Sequence, residues 1–185
     1  MSETSVRPDP VMTEIGRGME LGQRGERDAA REVFAGVWDR LGADGDPFHI
    51  CALAHSMADV QDDPREELVW DLRALEAADL VSDERARLAG VASPVAAFYP
   101  SLHLNLGDVY RRLGEWDLAR AHLERGLDAV GTLDDNGYGQ LIKGGLDRLA
   151  QRLAERSGEP LSVPPSEPLS EPPSEMTEVN GPASA

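Results

Sequence analysis

Three groups of side chains in this sequence have the types and spacing for chemistry. Cys51 and His55 stand four residues apart, on one face of any helix that carries both, and that spacing can chelate a metal. His49 and His103 would be the further ligands. Asp59, Asp62 and Asp63, continued by Glu66 and Glu67, gather carboxylates of the kind that hold a hard cation. Trp70, Asp71, His55, His103 and Tyr99 make a polar-aromatic mix suited to lining a small-molecule pocket.

Each group also has a plainer reading. A structural zinc site ordinarily takes four ligands, and no recognised fingerprint surrounds Cys51. Cysteine is among the residues most often buried, so core packing explains it. Asp63 before Pro64 is sufficient as a helix N-cap, and acids at a helix start are favoured by the macrodipole. Nothing in the sequence brings a pair of carboxylates together in a pocket. There is no GxSxG, no phosphate loop and no HExxH. Gly16, Gly18, Gly22 and Gly25 imitate a nucleotide loop, but no strand precedes them. The expectation is therefore a binding protein with no catalytic residue, no metal and no cofactor.

The elements that must position these residues read as helices. Asp46-Pro47 and Asp63-Pro64 each place a cap before a proline at the first helical position. Ser82 and Ser93-Pro94 are further starts, and Gly25, Gly42, Gly114 and Gly131 stand where helices should stop. Helices are predicted near 11–23, 26–41, 47–60, 64–79, 82–90, 95–113, 115–130 and 138–156. β-Branched residues are scarce and scattered, so no run reads as a strand.

Composition narrows the function. The formal charge is −16 over 185 residues. Nucleic acid and anionic membrane surfaces are thereby disfavoured as partners, because binding them needs basic patches. Aromatics make up 5% of the chain, so the core must be mostly Leu, Ala and Val, which suits close helix packing. Cys51 is the only cysteine, which rules out an intramolecular disulfide. The first ten residues are polar, without an apolar leader core, and no run approaches the ~20 apolar residues of a membrane span. The expected location is cytoplasmic.

Residues 1–10 read as a disordered lead-in, 11–156 as one helical domain, and 157–185 as a disordered acidic tail. That tail holds 7 of the 13 prolines, five glutamates and no basic residue. Within it Pro160–Glu167 is repeated at Pro168–Glu175 with one substitution, Val163 against Glu171. Prolines this frequent suit neither a helix nor a ladder.

The most informative stretch is Pro100 to Gly131. Asn105, Leu106, Gly107, Tyr110, Gly114, Glu115, Trp116, Ala119, Leu123 and Leu127 fall within it at fixed spacings. Gly107 and Ala119 are small where two antiparallel helices would cross closely. Leu106, Tyr110, Leu123 and Leu127 recur at three- and four-residue steps and are expected to face the partner helix. The stretch resembles a tetratricopeptide repeat along its whole length. A weaker copy lies at 11–42, where Gly18, Leu21, Gly25, Ala30, Phe34 and Gly42 keep the spacings, while Arg17 and Arg27 depart from them. Residues 47–79, with Leu53, Met57 and Val60 and then Leu68, Leu72 and Leu75, read as a further pair of ambiguous register. Residues 138–156, with Leu141, Leu146, Leu149 and Leu153, read as a closing helix. Trp70–Leu75 and Phe98–Leu106 are also similar to stretches of stand-alone tetratricopeptide proteins of actinobacteria, a likeness that carries no activity.

The resemblance implies an all-α fold, a short solenoid of antiparallel helix pairs with a C-terminal capping helix. It also implies a protein-interaction module that binds a protein or peptide in a concave groove lined by the first helix of each pair. In the Pro100–Gly131 repeat that face would hold Ser101, Asn105, Asp108 and Arg112. Asp108 would repel a carboxylate-ended peptide, whereas Arg111 and Arg112 would attract one. Self-association through an imperfect end repeat is a variant of this reading. The alternative is a small-molecule or metal-dependent activity in a pocket between the second and third helix pairs.

Overall fold

Five helices are started by side chains that satisfy their otherwise unpaired first amides. Asp9 Oδ1 accepts from the Val11 and Met12 amides at 3.0 and 3.2 Å. Asp46 accepts from Phe48 at 2.9 Å and Asp63 from Arg65 at 2.8 Å. Ser82 and Asn136 do the same for Arg85 and Gly139. Behind the first three caps stand Pro10, Pro47 and Pro64, where a missing N–H is harmless.

The computed structural model describes residues 9–156 and Leu161. Among them are α1 (Pro10–Gln23), α2 (Arg27–Leu41), α3 (Pro47–Ala58), α4 (Pro64–Ala78) and α5 (Asp83–Leu88). A 3-10 turn (Val95–Phe98) leads into α6 (Tyr99–Arg112). Then come α7 (Trp116–Ala129), a second 3-10 turn (Val130–Thr132) and α8 (Gly137–Ala154). The described residues are all-helical and contain no strand, and no helix among them is long and apolar enough to cross a membrane. The predicted lead-in lies outside the described residues except for Asp9 and Pro10, which belong to the start of α1. The predicted tail lies outside them except for Leu161, which packs beside Ala119, Leu149 and Leu153.

The helices pack pairwise, α1 on α2, α3 on α4 and α6 on α7. Between pairs, α3 lies against α1 and α2, α6 against α4, and α8 against both α6 and α7. Small residues set the crossings. A Cβ on Gly107 would stand 2.6 Å from Leu149 Cδ2 and 3.4 Å from the Ala119 carbonyl oxygen. A Cβ on Gly18 would collide with the Phe34 ring. Gly25 and Gly114 turn the chain inside their pairs at φ of 80° and 83°, where any other residue would be strained.

The core follows the helix order. Ile15, Phe34, Val37, Leu53 and Met57 fill the space between α1, α2 and α3. Ile50, Cys51, Ala54, Ala74, Ala77, Ala78 and Leu102 join α3, α4 and α6. Leu133, Ile142, Leu146, Leu149 and Leu153 seat the last helix.

Four departures from the sequence reading matter. Leu127 and Leu141 are 43% and 48% exposed, because each lies at the edge of its helix's apolar stripe rather than on it. Leu68, Leu72 and Leu75 flank the buried side of α4, and that side carries Asp71, Ala74, Ala77 and Ala78. The predicted helix 95–113 begins as a 3-10 turn, and Pro100 occupies the first turn of α6. The predicted groove residue Ser101 is buried, its hydroxyl donating to the Phe98 carbonyl at 3.0 Å.

Candidate functional site

α3 and α6 present two stripes with the same four-three-four spacing. On α3 and its C-cap these are Phe48, Ala52, His55 and Asp59, and on α6 they are Ser101, Asn105, Asp108 and Arg112. Helical periodicity places each set on one face. Between the stripes the apolar end of the site is a pocket of ≈ 200 Å³. Its walls come from α3 (Phe48, Cys51, Ala52, His55), from the 3-10 turn and α6 (Phe98, Ser101, Leu102), and from Val91 and Tyr138. Val91 brings the connection between α5 and the 3-10 turn into the wall. Tyr138, at the start of α8, is 51% exposed. Burial pushes the Cys51 thiol up to about 12, so it meets the pocket as a small apolar group.

The polar end begins at His55. Asn105 Nδ2 lies 3.5 Å from His55 Nδ1 and donates to Asp59 Oδ1 at 3.0 Å and Asp71 Oδ1 at 3.4 Å. Asp71 projects from α4 and is 1% exposed. Its Oδ2 has no hydrogen-bond partner; Arg148 Nε is the other such buried side-chain atom among the described residues. Burial holds the Asp71 carboxyl well above the usual carboxylate range, and the charges of Glu67 and Asp59 push the same way against the Asn105 hydrogen bond.

Arg112 is tied to Glu67 of α4 and, at 2.9 Å, to Asp108. Arg111, fully buried, donates to Asp108 at 2.6 Å. Burial pushes the Glu67 carboxyl up, and the Arg112 ion pair pulls against it. Glu67 and Asp108 pair with the two guanidinium groups, whereas Asp59 and Asp71 accept from the neutral Asn105 amide, so four carboxylates stand against two arginines. Asp59 is the exposed member.

The predicted groove residues Asn105, Asp108 and Arg112 therefore come together, in a network that sequence reasoning did not assemble. The arginines expected to attract a carboxylate are engaged by carboxylates of the chain itself. Its other members, Asp59 and Glu67 of the acidic cluster and Asp71 and His55 of the polar-aromatic group, were not expected beside the groove residues. The matching spacing of the two stripes is the signal that would have found the α3 residues.

The other groups separate. His49 Nε2 lies 2.7 Å from Asp9 Oδ2 and 3.2 Å from Arg85, which also binds Asp46. His103 and His122 face each other with Nδ1 atoms 3.1 Å apart. Asp62 binds Arg27 and Arg31, while Asp63 caps α4. Among the described residues no three His, Cys, Asp or Glu side chains converge to hold a metal ion. Of the polar-aromatic group His55 and Asp71 meet at Asn105, and Tyr99 and His103 meet ring to ring with centroids 6.1 Å apart. Trp70 packs edge-on against Trp38 beneath Arg73, and Tyr99 donates to Asp79 at 2.7 Å. A larger hollow of ≈ 600 Å³ lies on the other side of α3, between Trp38, Ile50, Arg73 and Leu80. It contains no unsatisfied buried group and no residue of the two stripes.

Comparisons with models of known protein families, with curated proteins and with solved structures give no match for this chain.

Proposed function

We propose that this chain is a protein-interaction module whose first-of-pair helices, α3 and α6, hold a peptide segment of a partner protein between them. In this reading the three helix pairs stack as a short tetratricopeptide-like solenoid and α8 closes its end. Supporting it, the second helix of one pair lies on the first helix of the next, α2 on α3 and α4 on α6. The observation that carries the reading is the site itself. An apolar pocket and a polar patch meet at His55 between two helix stripes of identical spacing. Peptide sites of this kind combine an apolar anchor pocket with a few fixed polar groups.

The test is a selection of random displayed heptapeptides on the immobilised full-length protein. A recurring motif that binds in solution, and that Ala52→Trp abolishes, supports the reading. Ala52 is only partly buried and lines the pocket, so a tryptophan there fills the cleft from its edge. Absence of any motif, or a motif indifferent to the tryptophan, removes it. Arg112 is the wrong residue to delete. Its loss strands Glu67 and Asp108 and perturbs the fold together with the site.

A further inference from the structure

The chemistry of the two ends of this cleft specifies its occupant. At one end, phenyl, thiol and alkyl groups surround ≈ 200 Å³, room for one large apolar side chain and little more. At the other end are four carboxylates and two arginines, and both arginines are engaged internally. The carboxamide of Asn105 bridges Asp59 and Asp71 but brings no charge. Asp71 is the decisive group. It is almost wholly buried, points one oxygen at Asn105 on the α6 stripe, and leaves the other without a partner. A charge held this way is costly unless an opposite charge arrives. Asp59, exposed beside it, is the contact through which a cation would be received.

We propose that the cleft selects an extended, basic segment of a partner. A Leu, Met, Phe or Trp of that segment fills the pocket between Phe48, Phe98, Leu102 and Tyr138, and a Lys or Arg lies on Asp59 in front of Asp71. This rests on the interaction-module reading and adds the chemistry of the partner. The spacing follows from the helix. Ala52 in the pocket and Asp59, the C-cap of α3, are seven residues apart, about 10 Å at a rise of ~1.5 Å per residue. An extended strand advances ~3.3 Å per residue, so the apolar and basic residues stand about three positions apart. The reach of a lysine or arginine side chain widens this to roughly two to four. An acidic segment is rejected by the same carboxylates, in keeping with the chain's charge of −16.

The probe is the heptapeptide display library, followed by synthetic peptides of the selected motif. The expected motif has one large apolar residue and a Lys or Arg two to four positions away. Exchanging that basic residue for Gln, or making Asp59→Asn in the protein, weakens binding about threefold to fivefold and flattens its salt dependence. Asp59 is exposed, so Asp59→Asn leaves the fold intact, and a melt of the variant verifies this. A motif without a basic residue, or an affinity unmoved by Asp59→Asn, overturns this inference and leaves the interaction module standing. A motif that still binds Ala52→Trp removes both.

Discussion

Lowering the pH should loosen this protein through His122, and the size of the effect can be worked out. His122 lies on α7, 6% exposed, with Tyr110 stacked on its ring at 5.4 Å and 22°. Its Nδ1 lies 3.1 Å from that of His103, so in the neutral pair one ring donates and the other accepts. Burial pushes its pKa down to about 4, and the His103 and Arg125 charges push the same way. His103 is lowered too, by burial and Arg125, against the pull of Asp79. A histidine depressed in the fold binds fewer protons there than in the unfolded chain. Its stabilising contribution is therefore complete above an unfolded value of 6.5 and is lost as pH falls from there towards about 4. The fall from 6.5 to about 4 corresponds to about 3 kcal/mol in full, and about 2 kcal/mol of that is lost between about pH 7 and pH 5.

The perturbation is His122→Phe, which keeps an aromatic ring on Tyr110 and removes the titrating nitrogens. Urea denaturation at a series of pH values is the assay. The wild type should lose about 2 kcal/mol more than the variant between about pH 7 and pH 5, which is about 4–8 °C in melting temperature for a domain of this size. His103 keeps some acid sensitivity in the variant. Equal pH dependence in the two proteins would refute the reasoning, as would a His122 ring resonance that titrates near 6.5 in the folded state.

Other substitutions follow from the same contacts. Gly107→Ala places a methyl 2.6 Å from Leu149 Cδ2 and should cost about 1–3 kcal/mol in urea denaturation, because Leu149 is itself fully buried. Gly114→Ala forces a Cβ into a φ of 83° and should cost about 1 kcal/mol, whereas Gly131→Ala, with open space and no positive φ, should be near neutral. The Cys51 thiol, pushed up to about 12 by burial, should resist a thiol reagent at about pH 8 and react at once in urea. Asp71→Asn should stabilise the protein by an amount that grows as pH rises above 3.8, since a raised carboxyl favours the fold only while protonated.

The helices and their close crossings were legible because their signals are local. A cap before a proline and a glycine after a helix act within a few residues of where they stand, and Gly107 with Ala119 belong to one short helix pair. The destination of the charges was not. Asp108 and Arg112 could be paired on one helix by their i,i+4 spacing, but Glu67, which takes the other side of Arg112, is 45 residues away. α4 was read from its leucines, and these flank the buried side on which Asp71 sits, so Asp71 was named among pocket-lining groups but its burial beside Asn105 was not. A pocket between the second and third helix pairs was expected with His55 in it, but the rest of its lining was not legible. Its walls come from α3, Val91, Phe98 and Tyr138, segments whose mutual placement depends on the whole stack. His122 drew no notice in the sequence, because the partner that marks its burial, His103, stands on the preceding helix.

Asp71 and His122 impose opposite slopes on stability, and that opposition separates their roles. The fold gives up stability to His122 as pH falls below 6.5 and to Asp71 as pH rises above 3.8. Between about pH 4 and 6.5 the two slopes oppose each other, so Asp71→Asn should steepen the loss of stability on acidification and His122→Phe should leave the loss on rising pH exposed. His122 repays its burial with an aromatic stack and a hydrogen bond to its own fold. Asp71 has one hydrogen bond at 3.4 Å and an oxygen with none, so asparagine would serve the isolated chain better. A carboxyl that the free protein would be more stable without fits a site completed by a partner's positive charge. A basic segment in the cleft should therefore narrow the stability gap between the wild type and Asp71→Asn, whereas a purely structural Asp71 would keep that gap unchanged when the segment binds.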